Sequence, residues 1–171
     1  MANPIDWYAD SREAIQVYYG EDWQLFCKLL AACSPNCSLP SNLTLAQKAY
    51  NLIKTEEELP KAGFIKAHYS QVTKMLVGDK PGRKVGNFYQ NLIGNEQAIT
   101  VDVWMARYYG LKRPKAISAK DYTYVEDCVR MDADYAGLTP AQFQAKTWCM
   151  VRGSSENFGD LLRSRGRQLS F

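Results

Sequence analysis

Apolar residues recur along this chain with the period of an α-helix, and no stretch alternates long enough to make a strand. Trp7, Ile15, Tyr18 and Tyr19 form the apolar side of a helix over Ile5–Tyr19, ended by Gly20. Trp23, Phe26, Leu29 and Leu30 predict a core helix capped by Asp22 and broken at Ser34-Pro35-Asn36. Ser41 is the expected cap of a third helix through Leu45, Ala49, Leu52 and Ile53. Glu56, Glu57 and Glu58 then read as a solvated acidic knot, and Pro60 and Gly63 as a turn. A short helix over His68–Leu76 with Val72, Met75 and Leu76 inward precedes the loop Gly78–Gly82. Val85, Phe88, Tyr89 and Leu92 follow at helical spacing, stopped by Gly94-Asn95. Thr100 is the expected cap of a helix through Trp104 and Tyr108, with Asp102 in its first turn.

Beyond Gly110 the chain carries Lys112, Arg113, Lys115 and Lys120 around Pro114, a basic loop. Tyr122–Tyr135 predicts a helix with Val125, Cys128, Val129 and Met131 toward the core, ended by Gly137. Thr139-Pro140 with Gln142 spells a capping box with Pro at the first helical position, and Phe143, Trp148 and Val151 supply the apolar face behind it. Gly153-Ser154-Ser155 closes that helix. The remainder is a basic tail with Arg163, Arg165 and Arg167, flexible or forming a short helix at Asn157–Leu162. The expectation is all-α: a compact fold of about seven or eight helices with short connections. It forms one helical domain over 1–153 and a basic C-terminal tail over 154–171.

Composition narrows the chemistry. A chain of 171 residues buries roughly two-thirds of its unfolded surface and needs no staples. Cysteines at 27, 33, 37, 128 and 149 are odd in number and contain no CxxC, which argues against a disulfide framework and a zinc site. No apolar run is long enough for a membrane span, and the polar start MANPIDWYADSREA is not a signal peptide, so a cytoplasmic protein is expected. No cofactor or metal is expected; His68 stands alone. A net charge of +3 permits a nucleic-acid partner without demanding one.

The densest chemistry lies in GRKVGNFYQNLIGNEQAITVDVW, from Gly82 to Trp104. Lys84 beside Arg83 at a helix start opposes the helix dipole, which points to an anion nearby, with a solvated pair as the alternative. Gly82 and Gly86 permit close backbone approach, and amides at a helix start suit a phosphate. Asp102 by itself is explained more readily by dipole compensation than by function. Consecutive helices normally run antiparallel, which would part Lys84 from Asp102 unless the Gly94–Ile99 connection turns the chain back.

This stretch resembles the core motif of the helix-hairpin-helix DNA glycosylase superfamily, the endonuclease III type, with its G-x-G-R-K-T-A-N and V-D-T-H runs. The chain looks like a divergent, phage-encoded branch of it, which would put it in the host cytoplasm. By position, Asp102 matches the family's catalytic aspartate and Lys84 its Schiff-base lysine. Gly82 and Arg83 match the hairpin arm, with Lys80 and Gly86 beside them, and Asn87 matches the motif's Asn. LLAACSPNCS at Leu29–Ser38 is similar to a pocket-lining helix end, making Cys33, Ser34 and Asn36 pocket candidates together with Trp104, which stands where the family has His. The loop differs as well: its first glycine is replaced, and Pro81 has no N–H for a phosphate. The resemblance implies DNA as partner, a nucleotide turned out of the stack, and cleavage of its N-glycosidic bond, with lyase chemistry at Lys84 as an extension. It also implies no iron–sulfur cluster, since no cysteine follows Cys149. A non-catalytic DNA-binding module and a base-modifying enzyme on the same scaffold are the alternatives. Trp104 and Tyr108 read as core more readily than as a base-stacking platform.

Overall fold

The structure, a computed structural model, describes residues 3–55, 66–112 and 116–165. All regular structure among them is helical: α1 (Trp7–Tyr19), α2 (Trp23–Ala32), α3 (Leu39–Lys54), α4 (Lys66–Leu76), α5 (Arg83–Ile93), α6 (Val103–Tyr108), α7 (Ala119–Ala136), α8 (Pro140–Arg152) and α9 (Phe158–Arg165). The all-α expectation holds. No described helix is long and apolar enough to cross a membrane. The acidic knot, the turn at Pro60 and Gly63, the loop residues Arg113–Lys115 and the last tail residues, Arg167 included, lie outside the described residues.

Two hydrophobic clusters organise the chain. The larger gathers Trp7, Ile15, Phe26, Leu30, Leu43, Leu92 and Phe158 from α1, α2, α3, α5 and α9. Tyr19 stacks on Phe26 with centroids 3.7 Å apart, and Trp7 meets Tyr8, Trp148 and Phe158 edge-on. Burying each such ring contributes about 1.5–3 kcal/mol. The smaller cluster joins Ile99, Val101 and Met105 to Tyr122, Val125 and Val129 of α7. Trp148 of α8 packs against both clusters and marks the seam between them.

Several local expectations are corrected. α3 starts at Leu39 with Ser38 as its cap, because Pro40 fits the first turn; Ser41 donates its amide to Ser38 Oγ. Asp22 makes no cap bond to α2; its carboxylate takes the Tyr50 hydroxyl and the Lys54 ammonium. Met131 is 73% exposed, because Tyr122, Val125, Val129 and Ala133 already form the inward stripe of α7 and Met131 lies opposite. The boundary at 153/154 does not isolate a tail: α9 buries Phe158, Leu161 and Leu162 in the larger cluster. Its Arg163 pairs with Asp10 at 2.8 Å, and Arg165 donates to Thr44 Oγ1. The Thr139–Gln142 capping box forms as the sequence predicts.

Candidate functional site

The site is built around α5. Before it, the chain leaves α4 through Gly78, whose φ of 79° is open to glycine, and the Asp79 amide closes on Lys74 O. The Gly82 amide is taken by Gln71 Oε1 at 3.1 Å, and the Pro81 ring lies 3.4 Å from where a methyl on Gly86 would sit. Arg83 turns to α7: its guanidinium lies 4.4 Å over the Tyr122 ring and bonds Ala119 O, Thr123 Oγ1 and the Glu126 carboxylate. Together with α2, this arm forms a cleft of about 390 Å³ lined by Lys28, Lys80, Gly82, Arg83, Gly86 and Asn87 among others. The residues of the hairpin arm are thus brought together, with Lys28 as an additional cation the sequence did not single out.

After α5 the chain turns back. Gly94 ends the helix at φ 111°, and Asn91 Nδ2 then reaches Asn95 O at 3.0 Å and Ala98 O at 2.7 Å. Asn91 Oδ1 accepts from Thr100 Oγ1 at 2.7 Å. One turn closer to the start of α5, Asn87 donates to the Tyr122 hydroxyl, which also accepts from the Val101 amide and donates to Ile99 O. Residues 98–101 therefore run along α5 from its end toward its beginning, which resolves the doubt over the Gly94–Ile99 connection.

This return delivers Asp102 to the seam. Asp102, not Thr100, caps α6: Thr100 is buried on Asn91, and Asp102 Oδ1 accepts the Met105 amide at 2.9 Å. Asp102 Oδ2 accepts from Trp148 Nε1 at 2.6 Å. The Arg152 guanidinium lies 3.8 Å over the same indole; burial pulls its pKa down, and Cys149, Asp102 and Glu156 oppose that fall. The Tyr8 hydroxyl donates to Gln144 Oε1 at 2.6 Å. Burial drives this phenol above its ordinary range, and the Asp102 carboxylate adds to the rise. Asp102 thus sits half-buried near Trp148, Arg152 and Tyr8, none of which the sequence pattern connected to it.

Lys84 is half-buried on the second turn-position of α5, on the face that carries Phe88 and Asn91. It makes no ion pair with Asp102. Cys33, Ser34 and Asn36 form the turn after α2 and group with α4: Cys37 Sγ lies 3.6 Å from His68 Nε2, which also meets Pro35 O. Burial first, and Cys37 second, push the Cys33 thiol up to about 12. Trp104 and Tyr108 are not core: α6 buries Met105 and Ala106 and leaves those two rings outside. Among the described residues no cluster of His, Cys, Asp and Glu could hold a metal ion.

A family model described as "Family of unknown function (DUF7178)" matches residues 2–155. The chain belongs to that family. The match takes in the cleft, the return loop, Asp102 and Trp148, so every element of the site lies within DUF7178. No curated protein and no solved structure matches the chain.

Proposed function

We propose that this DUF7178 protein is a DNA glycosylase-like enzyme that cleaves the N-glycosidic bond of a nucleotide turned out of the stack. Asp102 is its catalytic carboxylate. The carrying observation is the return of residues 98–101 along α5, which turns the chain back from the end of that helix toward its first turn, where Arg83 and Lys84 lie, before Asp102 caps α6. A carboxylate there stabilises the positive charge that grows on the sugar C1′ as the base departs, while water supplies the hydroxyl that replaces it. Asp102 has two donors on its oxygens, and a carboxylate has about four acceptor sites, so two remain for the substrate. Lys84, on the Phe88–Asn91 face, is the candidate nucleophile for a lyase step, and the basic cleft by Asn87 takes the phosphates.

The test is base release from an oligonucleotide panel of damaged and modified bases, with borohydride added. A covalent adduct lost in Lys84→Ala establishes lyase chemistry; base release without trapping leaves Asp102 as the sole catalyst. A second reading, a DNA-binding module without catalysis, is favoured by one feature: the Gly82 amide and the Arg83 guanidinium are engaged within the protein, as are both Asp102 oxygens. It expects salt-sensitive DNA binding and no base release from any substrate.

A further inference from the structure

α6 is a short helix with a long consequence. It turns Met105 and Ala106 inward, yet leaves Trp104 37% and Tyr108 44% exposed. Arg107 sits over the Trp104 ring at 5.5 Å. Tyr108 is braced edge-on by Tyr109 at 4.9 Å, and the Tyr109 hydroxyl is anchored on Asp132 at 2.7 Å. The rings are thus supported, although neither is covered by the core.

The described cations next to them in sequence are Arg107 and Lys112, while the carboxylates of Asp102 and Asp132 are engaged within the protein, on Met105 and Trp148 and on Tyr109. Exposed Tyr135 on α7 contrasts with this: it stands beside Asp134, a carboxylate that repels phosphate, while Tyr124 has Lys120 one turn before it and Asp127 one turn after it. Aromatic faces interleaved with cations are what a single nucleic-acid strand needs: rings for its bases, charge for its backbone.

We propose that Trp104 and Tyr108 stack two neighbouring bases of single-stranded DNA, with Arg107 and Lys112 on the adjoining phosphates. The choice of DNA rests on the glycosylase reading; the platform itself rests on α6. At about 1.5 Å rise per residue the two rings are about 6 Å apart along the helix, wider than the roughly 3.4 Å step of a duplex strand, so they fit bases of an extended strand. Trp104 follows Asp102 by two residues, which seats the platform where strand flanking an extruded nucleotide would pass.

The experiment is fluorescence anisotropy of a labelled oligo-thymidine and of a hairpin duplex against the full chain, across a salt series. The wild type binds the single strand more tightly than the duplex. Trp104→Ala weakens single-strand binding about five- to 150-fold, and Trp104→Phe recovers most of it. Arg107→Gln lowers the slope of log affinity on log salt by about 0.7. Tyr135→Ala, beside Asp134, leaves binding unchanged. Tyr108→Ala repeats the loss independently should Trp104→Ala lower the melting temperature. No single-strand binding by the wild type, or unchanged affinity in both Trp104→Ala and Tyr108→Ala, overturns the platform. If no base is ever released but Trp104→Ala still loses the strand, the platform stands and the glycosylase reading falls.

Discussion

The two ends of α5 solve the same problem, changing chain direction, in opposite ways. At its start the Gly78–Gly82 turn is largely exposed and held by few bonds, of which Gln71 to the Gly82 amide is the clearest. At its end the return is buried over residues 99–101, and the polar groups of Ala98, Ile99, Thr100 and Val101 are matched by Asn91 or Tyr122. Unmatched buried polar groups cost about 1–3 kcal/mol each, so the second connection has one geometry and the first has several within reach. A rigid return suits a carboxylate that must be held in place; an adaptable turn that presents Lys80 to the cleft suits a flexible phosphate backbone.

The contrast is broken most severely at Asn91. Asn91→Ala strands the Asn95 and Ala98 carbonyls and the Thr100 hydroxyl, and is expected to cost about 3 kcal/mol or more in chemical denaturation. Tyr122→Phe removes a hydroxyl with three partners and costs about 2 kcal/mol. Tyr122 also sharpens the comparison through pH. Burial, only partly offset by Asn87 and Val101, raises its pKa above the ordinary 10.0. Its neutral form is therefore stabilised in the fold, a contribution fully present below about pH 10 and lost as pH rises through the folded value. Tyr8 acts in the same direction. Alkaline unfolding of Tyr122→Phe should consequently fall less steeply with pH than that of the wild type.

The glycines divide in the same manner. Gly94 has φ 111°, and a methyl there would lie 2.8 Å from Arg12 Nη1, so Gly94→Ala is expected to cost about 1–2 kcal/mol. Gly82 has φ −59° and its nearest neighbour to an added methyl is Gln71 Nε2 at 3.6 Å, so Gly82→Ala should cost about 0.5 kcal/mol, the change in cap quality alone. Arg83→Gln is comparable: the pair with Glu126 is 43% exposed on the arginine side, and its loss should cost under about 1 kcal/mol. Thermal or urea melts of the five variants rank them; a variant at Gly82 or Arg83 that destabilises as much as Asn91→Ala removes the distinction.

The helices were legible because their apolar spacing and stop signals are local. Phe26, Leu29 and Leu30 follow one face of α2, and Thr139 with Gln142 forms a capping box within four residues. Caps failed where two candidates stood close. Ser38 precedes Leu39-Pro40, which looks like a break but is a first turn, and Thr100 stands two residues before Asp102. There the decision lay in the tertiary bond from Thr100 to Asn91. The surroundings of Asp102 were illegible for the same reason at longer range. Trp148 is 46 residues away and reads as ordinary apolar filling, while Tyr8 and Gln144 are 136 residues apart. One signal was present: Asn91 and Gln144, polar and buried on otherwise apolar helices, mark where the fold needed hydrogen bonds rather than packing.

The most direct test of the account is Asp102→Asn. Asparagine caps a helix as well as aspartate does and still accepts a hydrogen bond, so the fold should stay within about 1 kcal/mol of the wild type. Base release from whichever oligonucleotide the wild type processes should fall at least about a hundredfold, because the charge that faces the sugar is gone. Full base release by a well-folded Asp102→Asn protein would leave Asp102 as nothing more than the cap of α6, and the proposed chemistry would be wrong.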